Sequence, residues 1–430
     1  MSSRLIVFKF GGSSLKNANG VKNVMHILKA YKGKHMVIVV SAMGKTTNAL
    51  EKVVKLYMEK DPTRFQALKE VKTFHYDILK ELFSPNHDVF KVVDIFFEKI
   101  KEFIAQTSNQ EYDFIYDQII FLGEMMSSII VSHYLKENEL PVNWIDAREV
   151  IITDDIYREG WVNWQETNRR VKELMQPNIN THQFVLTQGF IASNQEGYTT
   201  TLGREGSDYS AAIFSFCLDA AYMAIWKDVP GVLTADPRLF NNVEKLDRLS
   251  YKEAIEMTYY GAKVIHPKTI KPLQNKSIPL FVKSFIEPEG SGTLISDEVE
   301  DLYPPMVAVE KEQALMQIST RDFSFVAEHH MSRLFKEIAD LRIQVNLMQN
   351  TAISFSICVN DIDDKVDQFM DRIQDTFKVM INRDLQLITV RHYTNEVIDN
   401  LKKGKMVLTE EKTGKTVQMV VKDIPVMEWK

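Results

Sequence analysis

The sequence predicts an α/β protein: a large domain built on a parallel-rich sheet, followed by a smaller α+β region of ferredoxin-like order. Three observations predict it. Short, wholly apolar runs alternate with helical stretches through the first two thirds of the 430 residues, those runs break at small polar or glycine-containing loops, and the rhythm changes to β-α-β-β-α-β afterwards. Continuous apolar strands separated by helices suit a parallel sheet buried on both faces. Ligands of such sheets bind outside the carboxyl ends of the strands, where the loops lie.

Residues 5–10 form the first expected strand, apolar except for Lys9, and it ends in Gly11-Gly12-Ser13-Ser14. A helix is expected over 21–31 and a second strand over 36–40, ending in Ser41-Ala42-Met43-Gly44. Leu50, Val53, Val54 and Tyr57 set a helical pattern that continues to residue 103, broken by the turn Ser84-Pro85-Asn86-His87. Another helical region covers 114–136, and strands recur at 142–145, 184–187, 221–226 and 278–282. Residues 1–298 therefore read as one domain, 299–311 with Pro304-Pro305 as a linker, and 312–430 as the second region. In that region 315–319, 343–348, 353–359 and 385–390 are expected strands, and 332–341 and 363–377 helices. Residues 397–423 supply further strands of a degenerate second module, with Glu410-Glu411-Lys412-Thr413-Gly414-Lys415 as a polar hairpin turn.

Composition excludes several classes. Lysine and arginine number 52 against 58 aspartates and glutamates, a net of −6 without long single-sign blocks. A sequence-independent nucleic-acid binder needs a clustered basic excess, so no nucleic-acid partner is expected. The two cysteines, Cys217 and Cys358, make no CxxC pair, none of the ten histidines has zinc-type spacing, and no GxSxG element occurs; no metal site is expected. No secretory leader is legible at the start, and no apolar run approaches the roughly 18 residues that cross a bilayer. The expectation is a cytoplasmic protein with no membrane partner.

Five constellations carry chemistry. Lys9-Phe10-Gly11-Gly12-Ser13-Ser14, directly after a strand, suits a phosphate: glycines admit backbone N–H groups and Lys9 adds a charge. It lacks the GxxxxGK[ST] pattern, and a tight turn with a solvated lysine is the alternative. In Thr199-Thr200-Thr201-Leu202-Gly203-Arg204-Glu205-Gly206-Ser207-Asp208, small polar residues surround an arginine able to clasp a carboxylate, and Asp208 opens a helix. The bland alternative makes Asp208 an N-cap. Trp226-Lys227-Asp228-Val229-Pro230-Gly231 with Asp236-Pro237-Arg238 suits a nucleotide, though each piece alone reads as a turn. Gly261-Ala262-Lys263-Val264-Ile265-His266-Pro267 is the fourth, with His266 read as structural. Glu124, in Gly123-Glu124 with Ser127-Ser128 a turn later, sits in an apolar helix where a carboxylate needs a partner; a buried ion pair is the alternative.

Together KFGGSS, SAMGKTTN, FLGE, TQGFI, TTTLGREGSD, KDVPGVLTADPR and GAKVIHP resemble, in order and spacing, one family: the aspartate kinases, of the amino-acid kinase fold, with a C-terminal ACT-type regulatory region. The resemblance covers about residues 5 to 295 and continues more weakly beyond. It implies a three-layer kinase domain that phosphorylates the side-chain carboxylate of L-aspartate from ATP, with Mg²⁺ carried by the nucleotide, at the entry to lysine, threonine and methionine biosynthesis. By position it implies that Lys9 stabilises the transferring phosphoryl group, that Phe10, Gly11 and Gly12 cradle phosphates, and that Asp208 organises the surrounding lysines. Ser41 and Thr47 would contact the amino acid, Glu124 would receive its ammonium group, Arg204 would clamp its α-carboxylate, and Glu205, Gly206 and Ser207 would belong to the same substrate-binding stretch. Lys227, Asp228, Leu233, Arg238, Lys263 and Val264 align with nucleotide-binding positions.

The sequence departs from the common family pattern at Glu205, where glycine is usual, at Lys227, a frequent threonine, and at Leu233, a frequent tyrosine. In the ACT-type region Asn346 stands where an aspartate frequently meets an effector's ammonium group, and the glycine usual at the first helix is missing from Ala327-Glu328-His329-His330-Met331. The resemblance implies a homodimer or higher homo-oligomer through that region. It leaves lysine, threonine or no amino acid as effector. The rivals are another kinase of the same fold, acting on glutamate, acetylglutamate or a nucleotide, and a non-catalytic amino-acid sensor. Length argues against a fused dehydrogenase.

Overall fold

The computed structural model describes residues 5–106, 109–262, 265–298, 302–321 and 324–424. By internal packing the described residues divide into one unit of 5–232, 245–255 and 265–298, and a second of 233–244, 256–262 and 302–424 without 322–323.

In the first unit the strands are β1 (Ile6–Phe10), β2 (Met36–Val40), β3 (Val142–Trp144), β4 (Phe184–Gln188), β5 (Ile191–Ser193), β6 (Thr199–Thr201), β7 (Tyr222–Lys227), β8 (Arg248–Ser250), β9 (Leu280–Ser284) and β10 (Thr293–Ser296). Eight of them form a sheet in the order β3-β4-β2-β1-β7-β9-β10-β8. The first six neighbours run parallel, β10 is antiparallel to β9, and β8 follows β10 in parallel. Every residue of β1 and β2 is buried. Successive side chains point to opposite faces, so Ile6, Phe8 and Phe10 join the large apolar core while Val7 and Lys9 face the other layer. Phe10 stacks on Trp226 of β7 at 5.9 Å. The register aligns Phe10 with Val40 and Trp226, and Val40 with Gln188, which brings the carboxyl ends of the central strands to one edge.

The expected strands and helices of this unit are present with shifted ends. The expected run over 48–103 is three helices, Thr46–Met58, Arg64–Leu82 and Val89–Ala105. The extra break falls at Asp61-Pro62-Thr63, where Asp61 accepts from both the backbone and hydroxyl of Thr63. Strands β5, β6, β8 and β10, of three or four residues, were not anticipated because such short runs carry no period. Tyr112–Glu137, two helices in succession, is by length and composition apolar enough to cross a bilayer, contrary to the expectation that no such run exists; 83% of its most apolar window is buried inside the unit.

The second unit contains β11 (Met306–Thr320), β12 (Val345–Asn350), β13 (Ser354–Asn360), β14 (Phe377–Arg391), β15 (Lys405–Thr413) and β16 (Thr416–Asp423), ordered β12-β13-β11-β14-β16-β15 and antiparallel throughout. Strand β11 begins nine residues before the strand expected at 315, and it and β14 shift register between Glu310 and Leu315. Beyond the shift they carry Glu328–Asp340 and Lys365–Ile373 on a core of Met316, Ile318, Phe355 and Phe369. Before it they join β16 and the helix Asn395–Lys402 around Ile388, Val390, Ile398 and Met419. Thus 397–423 opens with a helix rather than a strand, Thr394 Oγ1 capping it at Val397 N (3.3 Å). The hairpin turns at Gly414-Lys415, and Glu410 to Thr413 belong to β15.

Candidate active site

Lys9 is an inward-facing charge on a fully buried central strand, which demands a partner. Its Nζ lies 2.6 Å from Asp208 Oδ1, and both side chains are nearly inaccessible. Asp208 sits in the first turn of Gly206–Cys217, not at its N-cap, so its carboxylate also meets the positive end of the helix. Burial pushes the Asp208 carboxyl up, but the charges of Lys9 and Lys227 and the Lys9 hydrogen bond hold it below the ordinary carboxylate range. Asp208 therefore keeps its negative charge between Lys9 and the field of Lys227.

The loop after β1 crosses the loop after β2 at van der Waals distance. A Cβ on Gly12 would stand 2.6 Å from Ala42 O, and Gly44 N donates to Gly12 O at 3.0 Å. Gly11 lies beside Lys9, its missing Cβ 3.5 Å from Nζ. Ser41 N donates to Phe10 O (3.1 Å), and Thr47, half-buried, lies in the first turn of the helix Thr46–Met58.

Glu124 stands in the first turn of Leu122–Glu137 and is 3% exposed. Its Oε1 accepts from Ala42 N (3.4 Å), while Oε2 is buried with no hydrogen-bond partner among the described residues. Burial pushes the Glu124 carboxyl up to about 8, against the opposing pull of the Ala42 N–H, its own N–H and the Lys9 charge. Among the described residues Glu124 forms no ion pair of the kind that could have explained it. A buried acid lacking a partner on one oxygen has the chemistry to receive a cationic ligand group.

Arg204 is exposed and makes no hydrogen bond or ion pair with a described residue. Glu205 adopts the left-handed conformation (φ 53°) at the N-cap of Gly206–Cys217. Its Oε2 accepts from His266 N (2.9 Å), so its charge is held toward the backbone of 266 rather than free beside an anion. His266 is structural as expected, its Nδ1 accepting from Lys268 N at 3.2 Å at the start of Pro267–Asn275. A Cβ on Gly206 would lie 2.7 Å from Phe190, and one on Gly189 2.5 Å from Ser207, which sets this turn directly on the end of β4. Glu205→Ala is expected to cost about 1–2 kcal/mol in a denaturant titration, through loss of the His266 acceptor. Glu205→Gly is expected to cost less, since glycine takes a positive φ without strain.

The fold thus brings Asp208 within electrostatic reach of Lys9 and Lys227, and Glu124 within reach of Lys9. Asp228 follows Lys227 and is exposed. Leu233 and Arg238 belong to the second unit, where Arg238 pairs with Asp236 at 2.7 Å; Lys263 and Val264 lie outside the described residues. Sequence reasoning missed two groups. Lys283 of β9 lies 5.3 Å over the Trp226 ring, burial pulling its pKa down. Asp117 is a fully buried carboxyl, raised to about 7 by burial. Its signal was the one used for Glu124, an acid in an apolar helical run. Among the described residues no group of three or more His, Cys, Asp and Glu is arranged to hold a metal ion.

Residues 4–284 match the amino acid kinase family. The lysine-sensitive aspartokinase 3 of Escherichia coli is 30% identical over 362 residues, 83% of this chain and 79% of that protein. A bifunctional aspartokinase/homoserine dehydrogenase 2 of Arabidopsis thaliana is 31% identical over 69% of this chain, which spans only 33% of its length. The crystal structure of E. coli aspartokinase III with aspartate and ADP superposes with a TM-score of 0.83 at 25% identity, covering 97% of this chain and 96% of the other. The chain belongs to the amino acid kinase family and, within it, to the aspartokinases.

Proposed function

We infer that this site transfers the γ-phosphoryl group of ATP to the side-chain carboxylate of L-aspartate, giving 4-phospho-L-aspartate and ADP. The observation that carries the reading is Glu124 Oε2, a buried acceptor without a partner, close enough to the Lys9–Asp208 pair to sense the Lys9 charge. A free ammonium group satisfies it; the acylated nitrogen of acetylglutamate does not.

The nucleophile is a carboxylate of pKa about 4, already ionised at neutral pH, so the reaction needs no general base. What opposes it is repulsion between two anions, and catalysis lies in alignment and charge neutralisation. In this reading Lys9 and the N–H groups of Gly11 and Gly12 take up charge on the transferring phosphoryl group. Asp208 fixes the Lys9 ammonium in place, and ATP enters as its Mg²⁺ complex. Ser41 and Thr47 line the amino acid, and Arg204, open for a ligand, clasps its α-carboxylate beside Gly206 and Ser207. Lys227 and Asp228, at the end of β7, take the nucleotide. A coupled ADP-release assay separates the candidates: L-aspartate is expected to support turnover, and preference for glutamate, acetylglutamate or a nucleotide overturns the reading. Arg204→Ala is expected to raise the aspartate KM by roughly 10- to 100-fold with little change for ATP; equal effects on both remove its role as clamp.

The same reading makes the second unit a regulatory, dimer-forming module of a cytoplasmic enzyme. Support for self-association comes from Met348 and Ile353, exposed at and beside edge strand β12. At the position where an effector's ammonium would bind, Asn346 offers a neutral amide already donating to Gln313 Oε1 and Asn360 Oδ1, each at 2.8 Å. A dimer by light scattering and weak inhibition by L-lysine are the expected results; a monomer, or strong lysine inhibition, contradicts the respective half.

A further inference from the structure

We propose that Asp117 is a positioning residue for the amino-acid substrate, fixing the separation between Glu124 and Arg204. The inference rests on the roles just assigned to those two residues. Strand β6 leads in three residues from Thr201 to Arg204, and one of its edges pairs with β5. Among the described residues its other edge pairs with no strand; side chains take that place. Gln118 Nε2 donates to Thr199 O (2.8 Å) and Gln118 Oε1 accepts from Thr199 N (3.3 Å). Asp117 Oδ2 accepts from Thr201 N (3.0 Å) and Oδ1 from the Thr201 hydroxyl (2.8 Å). Gly160 N completes the edge at Thr201 O (2.8 Å).

The same Asp117 Oδ2 accepts from Arg158 N (2.9 Å), which ties a second segment to the strand. That segment presses on the arginine's hinge: Gly203, at φ 75°, would place a Cβ 3.2 Å from Arg158 O. Arg158 is itself held by Asp113 (3.1 Å) and lies 4.6 Å over the Tyr116 ring. Asp117 is in the helix Tyr112–Ile120, joined at Phe121 to the helix whose first turn holds Glu124. One carboxylate therefore joins the helix that leads into the ammonium receptor to the strand that leads into the carboxylate clamp. An amino acid held at both ends is sensitive to that span, and an error of about 1 Å in such a site can cost on the order of a hundredfold.

The test is steady-state kinetics of full-length Asp117→Ala, Asp117→Asn and Thr201→Val, each also combined with Arg204→Ala. Asp117→Ala is expected to raise the aspartate KM by roughly tenfold, leaving the ATP KM unchanged. Asparagine, which retains an acceptor for the two N–H groups, is expected to restore the aspartate KM to within about threefold. In the Arg204→Ala background the Asp117→Ala effect is expected to vanish, because the clamp it positions is gone. Should Asp117→Ala not fold, Thr201→Val carries the test with an expected rise of about threefold. A lowered melting temperature with unchanged aspartate KM, equal rises for both substrates, or effects that multiply in the double variant overturn the proposal. An Arg204→Ala enzyme with wild-type aspartate KM instead strikes the site reading beneath it, and the proposal falls with it.

Discussion

Replacing Lys9 by alanine is expected to lower kcat by roughly 10² to 10³ or more, the usual cost of losing one preorganised charge from a desolvated site. Lys9 is the charge that the buried first strand delivers to the carboxyl edge of the sheet, and Asp208 holds it at 2.6 Å. Its loss has a second consequence. Asp208 keeps its depressed pKa only because Lys9 and Lys227 offset its burial, so in Lys9→Ala the carboxyl is expected to shift upward. Breaking a buried pair from one side commonly costs about 3–5 kcal/mol, and circular dichroism must accompany the assay. Lys9→Met, which fills the space without the charge, is expected to lose turnover as fully with a smaller loss of stability. Activity within a few-fold of wild type in either folded variant removes Lys9 from the mechanism.

Glu124→Gln is expected to raise the aspartate KM by roughly 100-fold, since an ammonium group loses its one buried counter-charge. The pH dependence gives an independent check. In the free enzyme burial holds the Glu124 carboxyl near 8, so at pH 7 it is mostly protonated. Binding an ammonium group favours the carboxylate and expels that proton. Apparent aspartate affinity is then expected to rise about tenfold per pH unit towards pH 8 and level off above it, with proton uptake by the buffer detectable calorimetrically. The stability of the unliganded protein runs the other way. The native state binds the extra proton between the ordinary carboxylate range and about 8, so this group's contribution falls as pH rises across that window. In Glu124→Gln both dependences are expected to flatten, and a wild-type pH profile in that variant refutes the assignment.

Much of this architecture is legible in the residues. IVFKF and MVIVV are too apolar for anything but buried strands, and a lone lysine in the first must find a partner. Gly12 is explained by a close approach, 2.6 Å at Ala42 O, that no side chain would permit. The three-residue strand β6 and its docking on Asp117 and Gln118 are not legible, because side chains there replace a strand-to-strand ladder that periodicity detects. Glu205 reads as a misplaced charge until its bond to the backbone of 266 is seen. The long strands β11 and β14 were underestimated for a related reason: the register shift at Glu310 to Leu315 interrupts alternation while the strands continue.

The most direct measurement of the central claim is trapping the product. An acyl phosphate reacts with hydroxylamine to give a hydroxamate; one hydroxamate per ADP is expected when L-aspartate, ATP and Mg²⁺ are supplied, formed at least about a hundredfold more slowly by Lys9→Ala. ADP release from wild-type enzyme without hydroxamate, or hydroxamate formation by Lys9→Ala within a few-fold of the wild-type rate, would contradict it.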